Sequence, residues 1–133
     1  QEKTMSINTI NTEAGEFTYK HFHYSEVVKT DGLIFFSGVV GADHKGKVPA
    51  DIKEEFHSVW KKVGEVLAAA GASYDNIVEY TSYHIGLNSH VKEFSAIRDE
   101  YINEPWPCWT AVGVSELAMP GAHVEIRIVA TQP

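Results

Sequence analysis

In the last strand-like segment, His123, Glu125 and Arg127 alternate with Val124, Ile126 and Ile128. Successive side chains of a strand point to opposite faces, so an imidazole, a carboxylate and a guanidinium share one face at steps of about 7 Å. A carboxylate there can orient water, and a guanidinium can grip an anionic group through paired hydrogen bonds. Two readings fit this pattern. The plainer is a solvated, ion-paired outer face; the sharper is the polar wall of a cleft. The chain has only one other arginine, Arg98, on a segment of helical pattern.

Seven histidines raise the question of a metal, but His21, His23, His44, His57, His84, His90 and His123 are scattered, and no pair has the helical i, i+4 spacing of a ligand motif. Neither a metal nor a cofactor is called for. His84, between Tyr83 and Ile85 in a strand, is kept as a candidate site residue. Cys108, between Pro107 and Trp109, has no base that sequence can pair with it and reads as a structural thiol. Ser37-Gly38 lacks the pattern of a nucleophile elbow and reads instead as a turn where something approaches the backbone closely.

These residues need elements to position them. Over residues 51–71, Ile52, Phe56, Val59, Trp60, Val63, Leu67 and Ala70 have the three-four spacing of an amphipathic helix. Asp51 with Glu54 predicts a capping box, and Gly71 a C-terminal cap. A second helix is predicted over 89–103, with Val91, Phe94, Ile97 and Tyr101 in one stripe and Pro105 beyond it. Strands are predicted over 76–87, 108–115 and 123–130, and a hairpin pairs 26–30 with 33–40 around Asp31-Gly32. An extra strand is expected near 17–23.

The order ββ-α-β-α-ββ predicts an α+β sandwich, a mixed sheet with two helices on one face. Segment 33–40 is apolar at both parities, with Leu33 and Phe35 on one side and Ile34 and Phe36 on the other. Two helices cover one face only, so a second copy of the chain is the natural cover for the other. Glu125 and Trp109 both fall on the parity opposite to the residues expected under the helices. They are therefore expected to line one cavity.

With 133 residues, 44 % hydrophobic and 22 % charged, the chain reads as a single domain over 1–133. Its first sixteen residues read as an irregular segment, in which Gln1 to Thr4 stand either as vector residues ahead of a start at Met5, the favoured reading, or as what signal removal leaves. The longest apolar run is residues 32–36, far short of the roughly eighteen needed to span a membrane. The formal charge of -7 comes without a basic run, which disfavours nucleic acid as a partner. One cysteine cannot close an internal disulfide, and a reducing, cytoplasmic setting is expected.

Phe35-Phe36-Ser37-Gly38, the loop 46–51, Ala69-Ala70-Gly71, Asn76-Ile77-Val78 and the closing Val124-Glu125-Ile126-Arg127-Ile128-Val129-Ala130, in this order and spacing, resemble the Rid (YjgF, L-PSP) family from about Tyr24 to the end. The stretch Trp109-Thr110-Ala111-Val112-Gly113-Val114 looks still closer to the YjgH-like branch of that family, which lacks the catalytic arginine. The resemblance implies a chorismate-mutase-like fold and a homotrimer with sheets facing a central barrel. It also implies a small-molecule cleft between adjacent subunits, where water attacks the carbon of a 2-imino acid and ammonia leaves.

In catalytic members an arginine near the start of the penultimate strand clamps the substrate carboxylate, and a glutamate on the last strand orients the water. Glu125 matches the glutamate, Tyr24 an aromatic ahead of the first strand, and Ser37 and Gly38 the turn lining the cleft. Trp109 occupies the arginine position. An indole offers one neutral donor where a guanidinium offers charge-assisted pairs of roughly 1.5–3 kcal/mol each. The expectation is a protein that binds or processes a small metabolite and is not an efficient 2-imino acid deaminase. Trp109 either fills the interface or stacks on a flat ligand. The alternatives are an imine or enamine deaminase with a clamp relocated to Arg127, Arg98, His84 or backbone donors, and a non-catalytic sensor or scaffold. The ribonuclease activity that the L-PSP name carries is weakened by the acidic charge.

Overall fold

The computed structural model describes residues 7–133. The reading of Gln1 to Thr4 lies outside them. Eleven segments follow in order: β1 (Asn8–Ile10), α1 (Glu13–Phe22), β2 (Val27–Thr30), β3 (Leu33–Phe36), β4 (Val39–Val40), α2 (Ile52–Ala69), a short 3-10 turn (Tyr74–Asn76), β5 (Ile77–His84), α3 (Leu87–Arg98), β6 (Cys108–Gly113) and β7 (Val124–Thr131). One mixed sheet runs β1-β2-β3-β7-β5-β6, with β4 also on β7. Among the described residues only β5 and β6 pair in parallel.

The predicted hairpin forms, and Asp31 and Gly32 take φ of 54° and 81°, the double left-handed turn that matches strand twist. β3 breaks at Ser37-Gly38. Leu33 to Phe35 pair with Thr131 to Val129, whereas Val39 and Val40 pair with Ile126 and Glu125, so the partner register shifts by one residue across the break. That is the mark of a bulge, which re-aims side chains beside it.

α2 follows its sequence pattern closely. Phe56, Val59, Trp60, Val63 and Leu67 are fully buried, and Gly71 (φ 77°) ends the helix while Ala72 N–H returns to Leu67 O at 2.9 Å. The capping box does not form: Asp51 is the N-cap residue but its side chain makes no cap bond. α3 is shorter than expected, ending at Arg98, and residues 99–102 continue as turns held by Tyr101 N–H to Arg98 O at 2.9 Å and Ile102 N–H to Arg98 O at 3.0 Å. Phe94 and Ile97 of α3 join α2 and the sheet residues Ile34, Phe36, Tyr80, Ile126 and Ile128 in one core.

The expected strand over 17–23 is instead α1, so the helices among the described residues number three. Aromatics at 17, 19 and 22 suggest a strand, but Thr12 accepts from Gly15 N–H at 3.1 Å as an N-cap, Glu13 and Glu16 fill the first turn, and His23 at φ 59° closes the helix. Local capping outweighs β propensity. β1 and the first turn of α1 also fall within residues 7–16, the described part of the segment expected to be irregular. No helix among the described residues is long and apolar enough to cross a membrane.

Candidate functional site

The candidate residues fall into two groups. The first surrounds the break between β3 and β4. Gly38 lies directly under the Glu125 carboxylate, so that any Cβ there would run into it. This is the close approach that Ser37-Gly38 suggested, and it needs a residue without a side chain. Ser37 is held by its hydroxyl donating to Ser25 O at 2.7 Å and its N–H to Glu26 O at 2.9 Å. Tyr24, about half exposed, lines with Ser37, Gly38 and Lys62 a cavity of about 450 Å³ between α1, β4 and α2. Burial pushes the Glu125 carboxyl above its ordinary value, towards the protonated form that a general acid needs.

Arg127 stands two residues further along the same face, opposite Thr81, and is exposed. His123 does not share that face. β7 begins at Val124, and His123 turns instead to α2, where its N–H and Nδ1 lie 2.6 and 2.9 Å from the carboxylate of the fully buried Glu55. Val124 N–H donates to the same carboxylate at 3.2 Å.

The second group sits at the β6 edge of the sheet, on the helix side. Trp109 pairs in register with Tyr80, whose ring it stacks on at 5.9 Å, and it packs against Phe94 of α3. The expectation that Trp109 and Glu125 share a face is thereby corrected. Glu125 pairs with Tyr83, of the outward parity, whereas Trp109 pairs with the inward Tyr80. Within one chain the two side chains lie on opposite faces of the sheet. Arg98 places its guanidinium carbon 4.9 Å above the Trp109 ring and donates to Tyr80 Oη at 3.2 Å and Asp99 Oδ1 at 3.0 Å.

Beneath Trp109 runs a buried polar chain. The indole N–H donates to Ser82 Oγ at 2.8 Å, Ser82 Oγ is 2.7 Å from His84 Nε2, and His84 Nδ1 is 3.0 Å from His90 Nε2. An indole can only donate, so Ser82 Oγ accepts from Trp109; with the Ser82 proton on His84 Nε2, His84 carries its own on Nδ1 and donates to His90, and with the other His84 tautomer both directions reverse. His84 is fully buried and reaches no open cavity, so its place is under Trp109, holding it. Sequence reading missed Ser82, His90 and Glu55. The same-face pair Ser82 and His84 was the available signal for the first.

Desolvation, then repulsion from His90, pushes His84 down to about 4. A depressed folded value means the neutral ring stabilises the fold fully above pH 6.5, and this contribution is lost as pH falls through the window from 6.5 to about 4. Thermal melts from pH 7.5 to 4 are expected to show wild type losing stability against His84→Gln across that window, with a pH-independent difference between the two counting against it.

A protein of this topology and split site has a family. The model described as endoribonuclease L-PSP matches residues 18–132. RutC family protein YjgH of Escherichia coli is 32% identical over 116 residues, covering 86% of this chain and 87% of that protein. The 2-iminobutanoate/2-iminopropanoate deaminase of Capra hircus is 33% identical over 114 residues, covering 82% and 80%. A solved structure of protein YjgH superposes with a TM-score of 0.84 at 29% identity, covering 95% of this chain and 96% of that one. The chain belongs to the Rid (YjgF, L-PSP) family.

Proposed function

We propose that the chain forms a homotrimer around a chorismate-mutase-like barrel, with a small-molecule cleft between adjacent subunits in which Glu125 handles water. The cleft binds or processes a small metabolite and is a poor site for simple 2-imino acids. The observation that carries this reading is the separation of the two groups. Tyr24, Ser37, Gly38 and Glu125 gather at the β3–β4 break, Trp109 lies across the sheet on its edge strand β6, and a second copy docked on that edge would set it beside the first group. An edge unpaired among the described residues and the half-covered outer face at Leu33 and Phe35 both favour such a partner.

In this reading Trp109 stands where imine-hydrolysing relatives hold the substrate carboxylate, and its inward packing leaves that grip unfilled. Arg127, on the Glu125 face, supports a second reading with a relocated clamp. Light scattering at micromolar concentration is expected to give about three times the 14.8 kDa chain mass. A one-chain mass that persists as concentration rises removes the shared cleft. Ligand-dependent stabilisation without turnover would make the assembly a sensor.

A further inference from the structure

A cavity of about 310 Å³ opens between the end of α3 and the start of β6, at the small end of the range for ligand pockets. Its floor is the Arg98–Trp109 stack, its walls are Ile102 and Pro107, and Trp106 stands at it with 59% of its surface exposed. We propose that this cavity binds a planar aromatic carboxylate, the carboxylate on Arg98 and the ring against Trp106.

Arg98 is built for this. Its side chain is only 18% exposed, its guanidinium carbon lies 4.9 Å over the Trp109 ring, and its bonds to Asp99 and Tyr80 orient it. A guanidinium has five N–H groups. Three are used, by Nε and Nη2 on Asp99 and Nη1 on Tyr80, so each terminal nitrogen keeps one to offer. Two N–H groups suit one carboxylate. A phosphate dianion fits less well, because Asp99 lies at the same cavity and Arg98 is its only cation among the described residues. An aliphatic acid would leave Trp106 uncovered, whereas a flat ring takes offset stacking. All these residues come from one chain, so the inference does not rest on the intersubunit cleft.

The probes are quinoline-2-carboxylate and its carboxamide, titrated into the intact protein while the three indole N–H signals are followed by NMR. The carboxylate is expected to shift the Trp106 and Trp109 signals and to bind at least tenfold more tightly than the carboxamide. Arg98→Gln should reduce the carboxylate to the carboxamide's affinity. Because Arg98 also holds Tyr80, Trp106→Ala serves as a second variant at an exposed position, and it should weaken both probes at least threefold. Equal affinities for the two probes, an unaltered Trp106→Ala, or no indole shift at millimolar probe overturns the proposal. Binding that persists in a one-chain species leaves it standing while removing the trimer cleft.

Discussion

Hydrolysis of 2-iminopropanoate and 2-iminobutanoate by this protein is expected to be at least a hundredfold slower than by family members with arginine at the position of Trp109. Such a substrate presents a carboxylate that must be stripped of water and held while water attacks the adjacent carbon. Without a charged donor that carboxylate is poorly oriented and poorly solvated, and about 1.4 kcal/mol lost from the transition state is already tenfold in rate. Trp109 cannot compensate, since its single N–H is committed to Ser82 and its face to Arg98. The imino acid is generated with an amino-acid oxidase, and its decay is followed with semicarbazide as a competing trap. Trp109→Arg should restore little. It would set a second guanidinium near Arg98, whose carbon lies 4.9 Å from the present ring centre, and it would strip Ser82 of its donor. Rates matching those relatives in the unmodified protein would mean that Arg127 or Arg98 has taken over the grip.

How far the sequence disclosed this site depends on the range of each signal. α2, the β2–β3 hairpin and the outward side of Glu125 are written in local periods of 3.6 and 2 and in the turn chemistry of Asp31-Gly32. Ser37-Gly38 disclosed a close approach but not what approaches, because the Glu125 carboxylate comes from a strand nearly ninety residues later. The face of Trp109 was misread because parity within β6 says nothing about which side is inward until the parallel register with Tyr80 is known. α1 hid behind Phe17, Tyr19 and Phe22, all of which remain exposed instead of joining a sheet. His123 followed the alternation of β7 on paper, yet it lies one residue outside the strand and answers to a carboxylate 68 residues away. Pairings of that span leave no pattern in either segment.

That distant carboxylate gives the largest expected effect on stability. Glu55 is fully buried near the start of α2 and accepts from His123 N–H, His123 Nδ1 and Val124 N–H, at 2.6, 2.9 and 3.2 Å. It thus pins the first residues of β7, the strand that carries Glu125 two positions on and pairs with both β3 and β5. Removing the acceptor strands the buried Val124 N–H, at about 1–3 kcal/mol, releases the half-buried His123 N–H, and Ala adds an unfilled volume. Glu55→Ala is therefore expected to destabilise by on the order of 4 kcal/mol, a melting temperature lower by roughly 15 °C for a chain of this size. Glu55→Gln keeps the volume but turns one acceptor oxygen into a donor facing donors, so it should lie between wild type and Ala. Glu54→Ala, one residue away and exposed, loses only a first-turn charge and should cost below about 1 kcal/mol. Denaturant unfolding of the three variants separates the cases. A Glu55→Ala protein no weaker than Glu54→Ala would mean that water can replace the carboxylate at the foot of β7, and that the placing of Glu125 depends on the sheet alone.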